Sequence, residues 1–288
     1  MAAKQRNTRG PATVFTLVMI AIALLMALGH EYWHLAVTDP DRYKLGFERT
    51  VRLTKYRAGI DLAGIPDVKT LEARLARAEL SLGSPIFVRI FKREFLFEMW
   101  IKNGSRFQHF ATYPICRFSG RLGPKLKQGD RQAPEGVYTV AASQLNPNSR
   151  WHRAFNLGYP NRFDRAHGRT GDFLMVHGGC SSIGCYAMTN ATIDEIWKIV
   201  TAALDKGQKR FQVQIFPFKM TDQALLARKD HKWAAFWREL KPAYDIFEQT
   251  NIPPKVAVCK NTYRFKPAPP ATSGSSKIVS SCTGATSG

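Results

Sequence analysis

Acidic side chains are scarce in this chain: 22 Asp and Glu stand against 42 Lys and Arg, a formal charge of +20 over 288 residues. Such a surface is drawn to polyanions, of which nucleic acid, anionic lipid and acidic wall polymer are the candidates. Nucleic acid is set aside, because zinc-finger spacing, an RNP-type aromatic block and a recognition helix are all missing. Cysteine is rare as well, with five residues at 116, 180, 185, 259 and 282. That is too few for a disulfide-built scaffold, and no paired C-x-x-C spacing suggests a structural zinc site. No internal repeat stands out, which excludes a solenoid.

Long apolar runs are absent but for one. Ala12 to Leu28 is apolar throughout and follows a polar start carrying Lys4, Arg6 and Arg9. A basic flank before an apolar run is an export signal or a membrane anchor. The run is near the lower length limit for spanning a bilayer and longer than the usual signal core, so both readings stand for residues 1–29. Ala27-Leu28-Gly29 offers small residues for cleavage, and no lipobox cysteine is present. Positive residues favour staying inside, which leans the reading towards a retained anchor. The rest of the chain then lies in the cell envelope or periplasm, where thiols oxidise. An odd number of cysteines there leaves at least one thiol free or bonded to another molecule. Cys259 and Cys282 flank a Pro/Ser/Gly-rich tail as a candidate pair, while Cys116 and Cys180 are unassigned.

The hydrophobic share of 44% is ample for one sizeable core with extensions. Residues 30–83 read as a connector with one helix, Val68 to Leu82, which aligns Leu71, Leu75, Ala78 and Leu82 between Pro66-Asp67 and Gly83. Tyr43 to Arg57 is basic and suited to lie near anionic headgroups or to form a solvated face. Residues 84–218 form the domain proper. Its first strands are Ile86 to Phe91 and Phe95 to Ile101, and Asn103-Gly104 marks a tight turn before Phe107 to Ile115. A basic loop, Cys116 to Pro134, precedes a strand at Gly136 to Val140, and a second long loop covers Ser143 to Thr170. A helix over Ala191 to Lys206 with Thr189 or Asn190 as N-cap and a strand over Phe211 to Phe216 complete it. Residues 219–250 read as a helical extension with an aromatic stripe, and 251–288 as a flexible tail. The predicted fold class is α+β: mainly β, antiparallel and sandwich- or barrel-like, with peripheral helices and the N-terminal apolar helix.

Chemistry concentrates in Phe173 to Asn190, FLMVHGGCSSIGCYAMTN. An apolar run delivers His177 into a loop of glycine, serine and cysteine that ends at Cys185. An imidazole beside a thiol takes its proton and leaves a thiolate, the form that attacks carbonyls. Glycines at 178, 179 and 184 permit positive φ and close backbone approach, as exposed amide donors require. Zinc held by His177, Cys180 and Cys185 is a competing reading, weakened by the lack of a fourth ligand.

The same stretch resembles the active-site signature of the L,D-transpeptidases, the YkuD-type cysteine enzymes of bacterial peptidoglycan. His177-Gly178 matches the family's upstream His-Gly, and Ser182-Ile183-Gly184-Cys185 its Ser/Thr-His-Gly-Cys block, with Ile183 in place of a histidine and a shorter intervening loop. Gly-Cys-Tyr-Ala-Met-Thr from Gly184 resembles the YafK-like branch, as do Tyr113 to Tyr138 and Gly158 to Arg165. The likeness runs from about Ser84 to Phe218. It implies Cys185 as nucleophile and His177 as proton acceptor and donor, with the imidazole oriented by the Gly178 carbonyl. It also implies an oxyanion site from the amides of Gly184 and Cys185 near the Ser182 hydroxyl, and no cofactor. Arg117, Arg121, Lys125 and Tyr159 are expected near the cleft, where cations meet peptide carboxylates. The implied partners are peptidoglycan stem peptides, with a wall-linked lipoprotein as a further one. The implied activity is thioester-mediated cross-linking or attachment of an amine acceptor; an amidase releasing wall-linked lipoprotein and a silent wall-binding module are the alternatives.

Overall fold

The computed structural model describes residues 11–270 and Ile278. Contacts divide the chain into two units, 1–47 and 48–288. The first contains helix α1 (Pro11–Thr38) and the start of α2 (Pro40–Arg57). Thr13–Thr38 is long and apolar enough to cross a membrane, with a mean hydropathy of 2.2. Asp39 starts α2 by accepting from Arg42 N at 3.0 Å, and Pro40 fills the first helical position, where its missing N–H costs nothing.

The second unit continues through α3 (Leu71–Arg77), β1 (Ile86–Phe91), β2 (Leu96–Asn103), β3 (Arg106–Pro114), β4 (Arg117–Phe118) and β5 (Gly136–Val140). Then follow β6 (Leu145–Asn146), β7 (Ala154–Asn156), α4 (Arg162–Ala166), β8 (Met175–His177), β9 (Tyr186–Ala187), α5 (Asn190–Asp205) and β10 (Phe211–Phe216). The last described elements are α6 (Asp222–Leu226), α7 (Ala234–Thr250), β11 (Lys255–Cys259) and β12 (Thr262–Lys266). One sheet has the order β3-β2-β1-β10-β5, the other β4-β9-β8-β7-β6. Most pairings are antiparallel, but β1 with β10 and β8 with β9 run parallel. The fold is thus α+β, with two five-stranded sheets, a two-stranded one (β11–β12) and peripheral helices.

Every residue of β1 and β10 is buried, so these strands form the middle of the core. Strand alternation sends Phe87, Arg89 and Phe91 to the face covered by α7. There Phe87 packs on Phe247 at 4.5 Å between ring centroids, and Phe91 on Tyr244 at 6.2 Å. Arg89 is tolerated in this layer because Glu98 and Glu248 take its guanidinium at 2.8 and 2.5 Å. On α5, Glu195 accepts from Tyr113 Oη at 2.5 Å and pairs with Arg74 at 2.8 Å, tying α3 and β3 to the helix that follows the reactive loop.

Several expectations are corrected. The connector, expected to hold one helix at 68–82, also carries α2 over the basic stretch. The helix predicted over 68–82 is a 3-10 turn at Val68–Thr70 followed by α3, which stops at Arg77. Glu79 takes φ 55° and Leu80 N returns to Leu75 O at 2.9 Å, a left-handed cap reached before Gly83. The extension over 219–250 is two helices, α6 and α7, the second packed into the core. The segment after Asn251 forms the hairpin β11–β12, in which buried Tyr263 accepts from Asn161 Nδ2 at 2.8 Å and Val137 N at 3.3 Å. The rest of the tail lies outside the described residues.

Candidate active site

Strands β8 and β9 position the site. Their parallel register sets Val176 opposite Tyr186 and His177 opposite Ala187, so the reactive loop leaves one strand at the histidine and enters the next at the cysteine. In this register Cys185 lies beside Met175, on the strand face that His177 shares. Cys185 Sγ accepts from Met175 N at 3.4 Å and points towards Phe173 O at 3.5 Å. His177 is buried, and its Nδ1 donates to Gly178 O at 2.6 Å. That bond leaves Nε2 as the basic nitrogen. In this resting arrangement the thiol hydrogen bonds to the Phe173 carbonyl and not to the imidazole.

Both groups are biased towards their neutral forms. Burial pushes the Cys185 thiol up, opposed by the Met175 amide and by the positive charge of Lys125. Burial pushes His177 below its usual pKa, and the Gly178 hydrogen bond opposes this. Burial therefore favours the thiol and the neutral imidazole.

Within the loop, Ser182 Oγ donates to Cys185 O at 2.7 Å and accepts from Gly184 N at 3.2 Å, closing the turn that presents the sulfur. Ser119 Oγ lies 3.2 Å from Ser182 Oγ, which ties the turn to the basic loop. Gly179 and Gly184 take φ 83° and 154°, conformations that side chains rarely adopt. Gly178 does not take positive φ and is needed for a different reason. A Cβ there would come within 2.6 Å of Asn190 Oδ1 and 3.1 Å of Ile193 Cγ2, so glycine lets α5 approach.

A disulfide joins Cys116 to Cys180, fastening the loop beside β4. Both sulfurs are buried against Leu62, with Leu53, Tyr56 and Ile65 around them. Cys259 is also disulfide-bonded, and its expected partner Cys282 lies outside the described residues. Cys185 is the free thiol among the described residues. The zinc reading is overturned, since Cys180 is spent in the bridge and no group of three candidate ligands occurs among the described residues. His30-Glu31-Tyr32-Trp33-His34 on α1 has H-E-x-x-H spacing, with ring centroids 6.5 Å apart, but it too lacks a third ligand.

The expected cleft residues separate. Lys125 is buried, with Nζ donating to Asp130 Oδ1 at 2.5 Å and Lys127 O at 2.9 Å. Tyr159 is buried beside it, its hydroxyl donating to Lys125 O at 3.1 Å. Arg117 pairs in register with Ala187, the residue opposite His177, and its charge is felt by Arg49. Arg121 is exposed, with only its backbone held, by Gln132. Sequence reasoning had no means to find Phe173, an exposed residue at φ 50° whose carbonyl meets the thiol. Trp151, whose ring lies 6.1 Å from His177 and against Gly179, was foreshadowed only by the aromatic content of the second loop.

The chain is 50% identical over 182 residues to "Putative L,D-transpeptidase YafK" of Escherichia coli (strain K12), covering 63% of this chain and 74% of that protein. The relative of the same name in Escherichia coli O157:H7 gives the same figures. Among solved structures, the helical cell shape determining protein Pgp2 (K307A mutant) from Campylobacter jejuni aligns with 18% identity and a TM-score of 0.39, covering 64% of this chain and 66% of that one. Bdellovibrio bacteriovorus Bd1075 aligns with 21% identity and a TM-score of 0.34, covering 57% and 60%. The chain spans about two thirds or less of these two solved chains, and both likenesses are distant. Residues 86–215 match the YkuD model of the L,D-transpeptidase catalytic domain, and with the extent of the YafK likeness this chain belongs to the L,D-transpeptidase family.

Proposed function

We propose that this protein is a peptidoglycan L,D-transpeptidase acting through a Cys185 thioester. Nε2 of His177 takes the thiol proton as Sγ attacks the carbonyl between an L- and a D-centre of a stem peptide. The amide C–N bond breaks, the proton passes from His177 to the departing amine, and an acyl-enzyme remains. An amine from a second stem peptide, or from a lysine of a wall-linked lipoprotein, then attacks the thioester and releases Cys185. The oxyanion is met by the amides of Gly184 and Cys185; the 3.2 Å bond from Gly184 N to Ser182 Oγ is weak enough for a developing charge to displace. The observation that supports this reading is a free thiol just before β9, held by Met175 N on the strand that carries His177, a buried histidine whose Nδ1 is already committed to Gly178 O.

The apolar helix Thr13–Thr38 supports a membrane-anchored enzyme working in the cell envelope, and the cationic surface suits acidic wall polymer. The test is acyl trapping, seen by mass spectrometry with a stem tetrapeptide. The wild type gains the acyl mass, Cys185→Ala gains none, and His177→Ala acylates about 10²- to 10⁴-fold more slowly. Turnover that survives Cys185→Ala overturns the proposal. Products formed with and without an added amine separate ligation from release by water.

A further inference from the structure

The basic loop buries one of its cations beside the reactive strand. Residues 119–134 are clamped at both ends. Lys92 Nζ donates to Gly123 O at 2.9 Å and Ala133 O at 3.1 Å and pairs with Glu135 at 3.0 Å; Gln132 Nε2 holds the carbonyls of Arg121 and Gly123, each at 2.7 Å. This clamp fixes Lys125, whose side chain runs under the segment leading to the thiol. Thr170 N donates to Leu126 O at 3.0 Å, a Cβ on Gly171 would meet Lys125 Cε at 2.7 Å, and two residues past Gly171 is Phe173, whose carbonyl faces Cys185 Sγ. The ring of Tyr159 covers the ammonium at 5.9 Å.

We propose that Lys125 is a positioning residue for charge: its buried ammonium favours the anionic state of the Cys185 sulfur during attack, and Asp130 sets how much of that field reaches the site. The inference rests on the reading of Cys185 as nucleophile. Asp130 and Lys127 O hold the ammonium within the loop, and Asp130 in turn accepts from the amides of Leu126, Lys127 and Gln132, so the cation is fixed in place rather than free to swing into solvent. A fixed cation in a low-dielectric wall acts strongly on a nascent anion nearby. Burial pushes the Cys185 thiol up in pKa, and the Met175 amide and the charge of Lys125 both act in the opposite direction. The other titratable groups around the site are His177, neutral at rest, Tyr159, held well above its usual range by burial, and Asp172, joined to Gln128 at 3.3 Å.

The test is the pH dependence of alkylation by iodoacetamide of the full chain in detergent, under non-reducing conditions. The Cys116–Cys180 bridge keeps those sulfurs silent, and Cys185→Ala supplies the background. In Lys125→Met, alkylation at pH 7 slows roughly three- to tenfold and the inflection moves to higher pH; in Lys125→Arg both stay near wild type. Asp130→Asn keeps the ammonium, removes its counter-charge and moves the inflection to lower pH. A purely structural role would lower the melting temperature without moving either inflection. An unmoved inflection in folded Lys125→Met overturns the inference; if that variant does not fold, an unmoved inflection in Asp130→Asn does so. Either result leaves the nucleophile standing as long as Cys185→Ala is inert to acyl trapping.

Discussion

Removing the Cys116–Cys180 bridge tests whether the reactive loop is held by covalent constraint or by packing alone. The bridge spans 64 residues of sequence, and a cross-link of that span withdraws about 4 kcal/mol of chain entropy from the unfolded state. The native loop has few regular bonds of its own: Cys180 N to Met188 O at 3.3 Å, Met188 N to His177 O at 2.7 Å and the Ser182 turn. The double variant Cys116→Ala/Cys180→Ala is the correct perturbation. Either single variant frees a thiol, and a free Cys180 sits in the same loop as Cys185 and can trap it. For a unit of this size, about 4 kcal/mol corresponds to a fall in Tm of roughly 8 to 16 °C. Calorimetry on the oxidised wild type and the double variant measures it, with alkylation of Cys185 followed in parallel. The alkylation rate should change as the sulfur loses its fixed position between Met175 N and Phe173 O. A fall in Tm below about 3 °C, with unchanged alkylation, would refute the reasoning and assign the loop's geometry to the Leu62 cluster and the Ser182 turn.

Three further outcomes follow from the geometry. Gly184→Ala puts a side chain at φ 154° with its Cβ 3.1 Å from Leu174 Cδ1; acylation should fall at least tenfold at a stability cost of about 1–3 kcal/mol, read by acyl trapping and urea melts. Trp237→Phe removes the donor to Glu135 Oε2 at 2.9 Å, leaving a buried carboxylate oxygen one partner short beside Lys92; stability should fall by about 1–3 kcal/mol by denaturant titration. Because the folded state holds His177 below its unfolded value, the unfolded chain binds more protons between the two, so stability rises with pH across that interval and is lowest below it. His177→Gln should flatten that part of the stability curve, and an unchanged slope would show that the imidazole titrates normally.

The elements legible in the sequence are those whose local signals agree with their tertiary setting. Asn103-Gly104 turns β2 into β3, with Asn103 opposite Arg106. The Thr189 side chain caps α5 by accepting from Thr192 N at 3.3 Å, where the helical spacing of Ile193, Ile196 and Val200 begins. Elsewhere a local signal was outvoted or overlooked. α2 is charged and has a glycine inside it, so its apolar periodicity is weak, yet Asp39-Pro40 at its start and Lys55 and Arg57 in its last turn are ordinary boundary marks. The β11–β12 hairpin turns on Lys260 and Asn261 at φ 47° and 61°, residues that reach the left-handed region less readily than glycine, and the composition beyond Lys266 masks the alternating Val256, Val258, Tyr263 and Phe265.

At the site the division is sharper, because two kinds of information are involved. A candidate cysteine and histidine can be picked out by residue type and spacing, and the parallel register of β8 and β9 sets His177 opposite Ala187, two residues past Cys185. The surroundings that decide how those groups ionise come from elsewhere in the chain: Phe173 and Met175 through backbone atoms, which every residue type possesses, and Lys125 through burial. Net charge hides the last of these. With 42 cations in the chain, a basic loop is read as surface, and nothing in its composition separates exposed Arg121 from Lys125. The distinction arises only when Lys92 and Gln132 pin the loop and a glycine at 171 lets the lysine pass beneath the strand leader. A substitution at Gly171 should therefore perturb the acidity of Cys185 without touching its side chain or that of His177. Gly171→Ala, with φ 136° and a Cβ 2.7 Å from Lys125 Cε, ought to displace the ammonium and shift the alkylation profile in the same direction as Lys125→Met. If Gly171→Ala shifts the profile in the opposite direction, the route from loop to sulfur traced here is wrong.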